Sequence, residues 1–301
     1  MRLTILGCYA ATPRTLTNPT AQVLEINGHI LLLDCGEGTQ VQLRKHKVKF
    51  SRINHIFISH LHGDHFFGLP GFISTMRLLG REKELHIYGP KGIKEAITLL
   101  MKLGDSWTNY PLIFHELTGI GPELIFEDAK ISVSTIPLSH RIYTNGFLIK
   151  EKLAKRKLNI EAVEAYGIDI AYYRNIQNGK DVILDDGTLI SNNVLTYDPA
   201  PPKSYAFCSD TVYTKETAKY VEGVDVLYHE STFLESEAQL ATKTKHATAM
   251  QAAKIAKQAN VKDLILGHYS TRYKSIELFK QEAETIFANV HLADDGRVFN
   301  F

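Results

Sequence analysis

The sequence predicts an α/β sandwich, and three observations support this fold class. Strand-like and helix-like segments alternate along most of the chain, as where a strand at 86–88 precedes a helix at Ile93–Leu103. At 301 residues, the chain is near the upper size limit for one hydrophobic core, so we expect a single domain over 1–301. With 44% hydrophobic and 22% charged residues, the composition excludes disorder, collagen-like repeats and coiled coil.

The predicted elements follow in chain order. Asn27-Gly28 lies between two apolar runs and is a strong signal for a two-residue β-hairpin. The elements expected after the hairpin are helices at 40–44, 68–79, Ile93–Leu103 and 247–258, and strands at 53–59, 86–88, 112–114, 123–126, 131–136, 205–207, 224–228 and 264–266. Apolar periodicity and length separate the helices from the strands.

The segment at about 150–195 differs from the rest of the chain. It opens with a run at 150–157 that holds five basic residues in eight, and it contains few long apolar runs. We therefore expect an inserted arm instead of core structure. Four of its basic side chains are candidates for phosphate contacts, although such runs also occur as solvated charged surfaces; they are Lys152, Lys155, Arg156 and Lys157.

Charge and cysteine content set further expectations. The formal net charge is +1, so any nucleic-acid partner would have to be bound by a local basic patch. Three cysteines are too few and too scattered for a disulfide framework, which favours a reducing, cytoplasmic location. We expect no membrane association, because no apolar run approaches the roughly 20 residues of a membrane span, and we find no signal peptide.

Metal-ligand residue types stand at the ends of several predicted strands. In α/β sheets the strand ends share one edge and functional sites gather there, so residues far apart in sequence can converge. The residues that end four such runs are His60, His140, Asp210 and His268, and a fifth run ends at Glu230.

The densest group of candidate ligands is the string at 59–65. His60, His62, Asp64 and His65 lie within six positions at a predicted strand-to-helix turn, and this spacing allows them to serve two adjacent centres. Nitrogen and carboxylate donors without thiolates suit Zn²⁺, with Mn²⁺ or Fe as alternatives. The string therefore predicts a metal site.

This string resembles the signature of the metallo-β-lactamase superfamily, and further motifs resemble the ribonuclease Z family of tRNA 3′-processing endonucleases. The motifs lie at 6–13, 33–40, 59–65, 68–71, 88–92, 209–211, 229–233, 245–248 and 267–273. The resemblance implies an αββα sandwich of two mixed β-sheets flanked by helices. It also implies a tRNA-binding exosite arm at about 150–195 and a homodimer.

The resemblance also implies two zinc ions per subunit and the division of their ligands. One zinc would be held by His60, His62 and His140, the other by Asp64, His65 and His268, with Asp210 bridging both. Two such metals activate a water and clamp a phosphodiester for in-line attack. Because water attacks, the expected products are a 3′-hydroxyl on the tRNA and a 5′-phosphate on the trailer.

Other residues match the family at the reacting bond and along the RNA. His246 is the candidate general acid for the leaving oxygen, oriented by Glu230, and Asp64 is also expected to orient the water. Ser270 and Arg272 are candidate phosphate contacts. In the family, a Pro-x-Lys-x-Arg-Asn loop holds the tRNA acceptor end. Here two threonines replace its basic residues, and Arg14 is a partial substitute.

Two alternatives share the same predicted metal site. One is a general metallo-β-lactamase-fold hydrolase of small phosphodiesters or esters. The other is a tRNA-binding protein that kept the fold and lost catalysis, which the complete set of ligand types disfavours. The basic run and His246 are the features that distinguish the tRNA nuclease from a general hydrolase.

Overall fold

The computed structural model describes residues 1–12 and 14–301, so Pro13, part of the motif at 6–13, lies outside the described residues. The described chain divides into two compact units. The main unit comprises 1–127, 131–150 and 203–301, and the small unit comprises 128–130 and 151–202.

The strands and helices of the described residues have the following bounds. The strands are β1 (Arg2–Gly7), β2 (Ala21–Ile26), β3 (His29–Leu33), β4 (Ile53–Phe57), β5 (Leu85–Pro90), β6 (Leu112–Leu117), β7 (Leu124–Glu127), β8 (Ile131–Pro137), β9 (Asn145–Glu151), β10 (Lys157–Leu158), β11 (Val182–Ile183), β12 (Leu189–Ile190), β13 (Thr196–Tyr197), β14 (Ser204–Cys208), β15 (Val226–Glu230), β16 (Asp263–Gly267), β17 (Val290–Leu292) and β18 (Val298–Asn300). The helices are α1 (Thr39–Lys45), α2 (Gly63–Phe66), α3 (Leu69–Leu78), α4 (Ile93–Leu103), α5 (Ile160–Ala165), α6 (Tyr173–Gln177), α7 (Asn192–Leu195), α8 (Lys215–Tyr220), α9 (Ala238–Thr244), α10 (Ala249–Gln258) and α11 (Glu277–Glu284).

Two mixed sheets form the main unit. Among the described residues, each has seven strands, in the orders β18-β1-β2-β3-β4-β5-β6 and β17-β16-β15-β14-β9-β8-β7. In the first sheet the strands from β3 to β6 are parallel, and in the second β14 to β17 are parallel. Six of the predicted metal ligands follow the carboxyl ends of β4, β14 and β16 in these parallel sets, and the seventh, His140, follows β8.

The cores follow from the alternation of side chains along each strand. Leu33 and Phe57 of the first sheet pack in one cluster with Phe207 of the second sheet, together with residues of α10 and α11. Leu32 and Ile56 point to the opposite face and pack with residues of α1, α3 and α4. The main unit is therefore an αββα sandwich of two mixed sheets, and the predicted fold class is confirmed.

Local signals explain where particular elements begin and end. Asn27 and Gly28 both have positive φ, at 44° and 87°, and join β2 to β3 in the predicted hairpin. The helix expected at 247–258 begins instead at Ala249. Thr248 caps it, accepting a hydrogen bond from the Gln251 amide while the Gln251 side chain bonds back to Thr248. His246 therefore lies in the loop before the helix.

The small unit has a core of its own. Within 151–202, β10 pairs with β13 and β11 pairs with β12. Six apolar side chains, scattered singly along the sequence, pack together between these strands and α5–α7: Val163, Ile168, Ile176, Val182, Ile190 and Leu195. The segment predicted as an arm thus folds compactly, and its role in binding tRNA stays a prediction.

Among residues 1–12 and 14–301, no helix combines the length and the apolar character that a membrane span requires.

Candidate metal centre

The seven predicted metal ligands stand at or just beyond strand ends of the main unit. His60 and His62 follow β4, and Asp64 and His65 occupy the first turn of α2. His140 follows β8, Asp210 follows β14 and His268 follows β16. Both sheets therefore contribute donors to one place, as the rule for strand ends in α/β folds predicts.

Four of these side chains form a first donor group. The Nδ1 atom of His62 lies 3.0 Å from Nε2 of His60 and 3.3 Å from Nε2 of His140. The Oδ2 atom of Asp210 completes the group, at 3.5 Å from the His60 nitrogen and 3.7 Å from the His140 nitrogen. The three imidazoles thus turn nitrogen atoms toward one point beside a single carboxylate oxygen.

The second donor group uses the other oxygen of Asp210. Its Oδ1 atom lies 3.3 Å from Nε2 of His65 and 3.0 Å from Nε2 of His268. Asp64 Oδ2 completes the group, at 3.4 Å from the His65 nitrogen and 3.6 Å from the His268 nitrogen. Asp210 therefore faces both groups, one oxygen to each.

The distances between donors fit a metal ion. Tetrahedral ligands at the usual zinc–nitrogen and zinc–oxygen distances lie about 3.3–3.6 Å from one another, close to the separations found here. The Nε2 atoms of His65 and His268 are buried and have no hydrogen-bond partner within the described residues. Buried polar atoms without a partner are costly, and a metal would satisfy both. The centre thus has the donor set and spacing of a metal-binding site.

The outward-facing imidazole nitrogens are held by hydrogen bonds, which fix the ring orientations. Nδ1 of His140 donates to the backbone carbonyl of Lys245 at 2.8 Å. Nδ1 of His268 lies 2.9 Å from Oγ1 of Thr232, and Nδ1 of His60 lies 3.0 Å from Oγ of Ser59. Our sequence reasoning missed Thr232, Ser59 and this carbonyl. The available signal for the two hydroxyls was their place in the motifs at 59–65 and 229–233.

Asp34 orients His65 from behind. Its fully buried carboxylate accepts a 2.7 Å hydrogen bond from Nδ1 of His65 and two further bonds from the backbone N–H and hydroxyl of Ser59. Burial raises the pKa of Asp34, while the charge of His65 opposes that rise. Asp34 therefore fixes the orientation of His65 at the metal centre.

We predict that Asp34→Asn weakens metal binding by about 10–100-fold. The amide of asparagine can accept hydrogen bonds at one atom only, and without the carboxylate His65 becomes a weaker metal ligand. Metal affinity is measured by competition with a chromophoric chelator. Asp263→Asn is the matched control, since Asp263 also pairs with a histidine, His291 at 2.8 Å, at the opposite end of β16. Equal affinity in the wild type and Asp34→Asn would contradict the prediction.

The backbone is left-handed at three residues of the centre. Asp34, Asp210 and His268 have φ values of 55°, 46° and 62°, and each lies within two residues of the end of a strand. Asp and His tolerate this region better than most residues, but it still costs about 1–3 kcal/mol per position. These sharp turns redirect the backbone at the strand ends, so that the side chains can face the metal centre.

A buried ion pair stands beside the metal ligands. The Oε1 atom of Glu230 lies 2.9 Å from Nδ1 of His246 and also accepts the backbone N–H of Thr211, and Oε2 accepts two bonds from Thr232. Burial lowers the pKa of His246, but the charge and hydrogen bond of Glu230 outweigh it and raise this pKa to about 9. His246 is therefore protonated at neutral pH.

The centre opens into a cleft of about 450 Å³. Described residues that line it include Ala10, Thr12, His62, Asp64, Arg141, Asp210, Thr232, His246, His268, Ser270 and Thr271. Ser270, a predicted phosphate contact, is thus in the cleft, whereas Arg272 is exposed outside its lining. Arg14 is not free, because its guanidinium donates to the carbonyls of Thr271 and Tyr273.

The predicted basic residues of the small unit differ in their surroundings. Lys155 and Lys157 are exposed, and Lys152 is half-buried. Arg156 donates hydrogen bonds to Thr196, Asp198 and Asn193 of its own unit. Its guanidinium therefore stabilises the small unit.

Several known proteins are similar to this chain in sequence or in fold. A relative from Bacteroides fragilis named ribonuclease Z is 45% identical over 294 residues, covering 98% of this chain and 97% of the relative. The crystal structure of human tRNase Z, short form, matches with a TM-score of 0.72 at 28% identity, covering 100% of this chain and 99% of that one. The metallo-β-lactamase fold protein YhfI from Bacillus subtilis matches in fold, with a TM-score of 0.70 at 18% identity and 99% and 98% of the two chains covered. Residues 1–158 match the family model described as anti-Pycsar protein Apyc1.

The two-sheet sandwich with a histidine and aspartate cluster at one edge defines a metallo-β-lactamase-fold protein with a metal-binding centre. The chain belongs to the ribonuclease Z family by identity over nearly its whole length, and its first 158 residues place it also in the family described as anti-Pycsar protein Apyc1.

Proposed function

We propose that this protein is an endoribonuclease that removes the 3′ trailer from precursor tRNA, leaving a 3′-hydroxyl on the tRNA and a 5′-phosphate on the trailer. The observation that carries the proposal is the 45% identity, over 98% of the chain, to a protein named ribonuclease Z. Both donor groups and the Glu230–His246 pair support it. The identity extends over the entire sandwich, unlike the match to residues 1–158, and so favours tRNA processing over a general hydrolase.

The two donor groups would hold two zinc ions. His60, His62 and His140 would hold one ion together with Asp210, and Asp64, His65 and His268 would hold the other, also with Asp210. When bound, the metals supply Lewis acidity for the phosphodiester and acidify the attacking water at neutral pH. Asp64 has a second role in orienting that water, and Asp210 fixes the spacing of the two groups.

His246 supplies the proton that the leaving 3′-oxygen needs. The side chain lines the cleft beside the donor groups, within hydrogen-bond distance of Glu230. Burial raises the pKa of Glu230, but the charge and hydrogen bond of His246 and the charge of His268 together bring this pKa below its ordinary value, so Glu230 is ionised. The carboxylate thus keeps His246 charged and directs its Nε2–H toward the cleft, as a general acid requires.

We propose that RNA phosphates are bound by Ser270 in the cleft and, outside it, by Arg272 and by the exposed lysines of the small unit. Arg14 and Arg156 act differently, by ordering the loop and the unit that contain them. We also propose a cytoplasmic homodimer; the three cysteines are free and buried, as suits a reducing compartment. Light scattering after size-exclusion chromatography measures the assembly.

We predict that the double variant Lys155→Ala, Lys157→Ala weakens precursor-tRNA binding by about 5–50-fold at low salt and reduces its salt dependence, because two phosphate contacts are lost. Hydrolysis of bis(p-nitrophenyl) phosphate should be unchanged. Binding is measured by filter retention across a salt series. The matched control is Lys215→Ala, Lys219→Ala, which removes two exposed lysines from α8. If both double variants bound equally well, the lysines would have no specific role.

The function itself is tested by incubating zinc-loaded protein with trailer-bearing precursor tRNAs, with and without an encoded CCA, and mapping the product ends. We expect cleavage on the 3′ side of the tRNA body with the end groups given above. Hydrolysis of bis(p-nitrophenyl) phosphate with intact precursor tRNA would overturn the proposal in favour of a general hydrolase. Inactivity on both substrates, with full zinc content, would favour a non-enzymatic tRNA-binding protein.

A further inference from the structure

One exposed arginine lines the cleft and has no assigned role. Arg141 directly follows the donor His140, so its Cα lies about 3.8 Å along the chain from that of the donor. Among the described residues, its guanidinium makes no hydrogen bond and no ion pair. Five donors are therefore available to a ligand in the cleft.

Other basic side chains are less suited to serve the cleft. Among its described lining residues, Arg141 is the one lysine or arginine. The guanidinium of Arg14 is already used, because it donates hydrogen bonds to the carbonyls of Thr271, a lining residue, and Tyr273. Arg272 is not part of the lining. A phosphate that enters the cleft thus meets a single free guanidinium.

The charge of Arg141 indicates the kind of ligand it serves. Arginine is always protonated, and a fixed cation beside donor groups for divalent metals opposes metal binding. Arg141 lines the same cleft as His62 and Asp210 of the first donor group. Its counterpart must therefore be an anion that is held at the metal centre.

We propose that Arg141 binds a non-bridging oxygen of the scissile phosphate through paired N–H bonds, as arginine does with phosphate groups. The inference rests on the proposed function, in that the substrate is a phosphodiester. The scissile phosphate is favoured over a neighbouring one because Arg141 shares the cleft wall with Asp64, Asp210 and His246, which all act at the bond that breaks.

The test compares wild type, Arg141→Ala and Arg141→Lys on precursor tRNA and on bis(p-nitrophenyl) phosphate, which has only the reacting phosphate. For Arg141→Ala we expect kcat/KM to fall by about 10–100-fold on both substrates. Arg141→Lys should lose less, because it keeps the charge but not the paired bonds. Zinc content should be unchanged, and inorganic phosphate, measured by calorimetry, should bind about 10-fold more weakly to Arg141→Ala. Arg77→Ala, an exposed arginine of α3, is the matched control.

Three results would overturn the inference: a loss confined to precursor tRNA, which places Arg141 on another phosphate; no loss on either substrate; or a loss that parallels zinc loss. The proposed function fails separately, if wild type hydrolyses bis(p-nitrophenyl) phosphate and spares precursor tRNA. In that case, the effect of Arg141→Ala on the hydrolysis of bis(p-nitrophenyl) phosphate still tests the role of Arg141. If wild type hydrolysed neither substrate, unchanged phosphate affinity in Arg141→Ala would overturn the inference and weakened affinity would support it.

Discussion

Replacing Asp210 with asparagine should lower kcat/KM for precursor tRNA by at least about 10⁴-fold and reduce the bound metal to less than one ion per chain. Each oxygen of Asp210 faces one donor group, at 3.0–3.7 Å from its imidazole nitrogens. An amide leaves a single oxygen, and its NH₂ group points N–H bonds at the other site. The loss of several kcal/mol of charge stabilisation accounts for a factor of this size.

The measurements are elemental analysis of metal after gel filtration and single-turnover cleavage. Asp225→Asn is the matched control: this aspartate precedes β15 and binds Ser204 and Lys262, at the other end of the strands from the centre. It should lose some thermal stability and keep both metal and activity. A fully loaded Asp210→Asn protein would show that the carboxylate does not bridge the donor groups.

Replacing His246 with alanine should lower kcat by about 10²–10⁴-fold while metal content and tRNA affinity stay at wild-type levels. The wild-type rate should decline at alkaline pH, since the acid form is lost as pH rises through the pKa of His246. That pKa is raised to about 9 by Glu230, and the positive charge of bound metals lowers it, so the decline belongs at or below pH 9. His246→Ala should lack this alkaline decline.

Glu230→Gln separates positioning from proton transfer. It removes the charge that raises the pKa of His246, so the alkaline decline should move to lower pH, toward the ordinary histidine range. A purely structural role for Glu230 would lower the rate at every pH without moving the profile. An unchanged rate in His246→Ala would remove His246 from the role of general acid.

Much of the fold could be predicted because its signals are local. The Asn27-Gly28 hairpin and helix α4 follow from turn residues and apolar periodicity. The convergence of donors was predictable as well, because apolar runs ended in metal ligands and parallel strands share one edge. The family resemblance, not the spacing, supplied the partition between two metals, and the geometry of Asp210 agrees with it.

The remainder depends on tertiary contacts that a sequence does not display. The carbonyl of Lys245 orients His140 across the fold, and no side-chain pattern marks a backbone acceptor. Arg156 lies in a basic run, yet its partners Asp198 and Asn193 are distant in sequence and give it a structural role. The hydrophobic core of the small unit could not be predicted, because its buried residues occur singly and produce no apolar run.

The contribution of donors by both sheets has a consequence for folding. His60 follows β4 of the first sheet, whereas Asp210 and His268 follow strands of the second, so an ion held by the proposed ligands would cross-link the two layers of the sandwich. In the unfolded chain, bringing these distant ligands together would cost the conformational entropy of closing a long loop. In the folded chain the ligands are already close, so the ion binds the folded state preferentially. Loading therefore stabilises the folded protein in proportion to the logarithm of free metal concentration, and it couples the opening of one layer to that of the other.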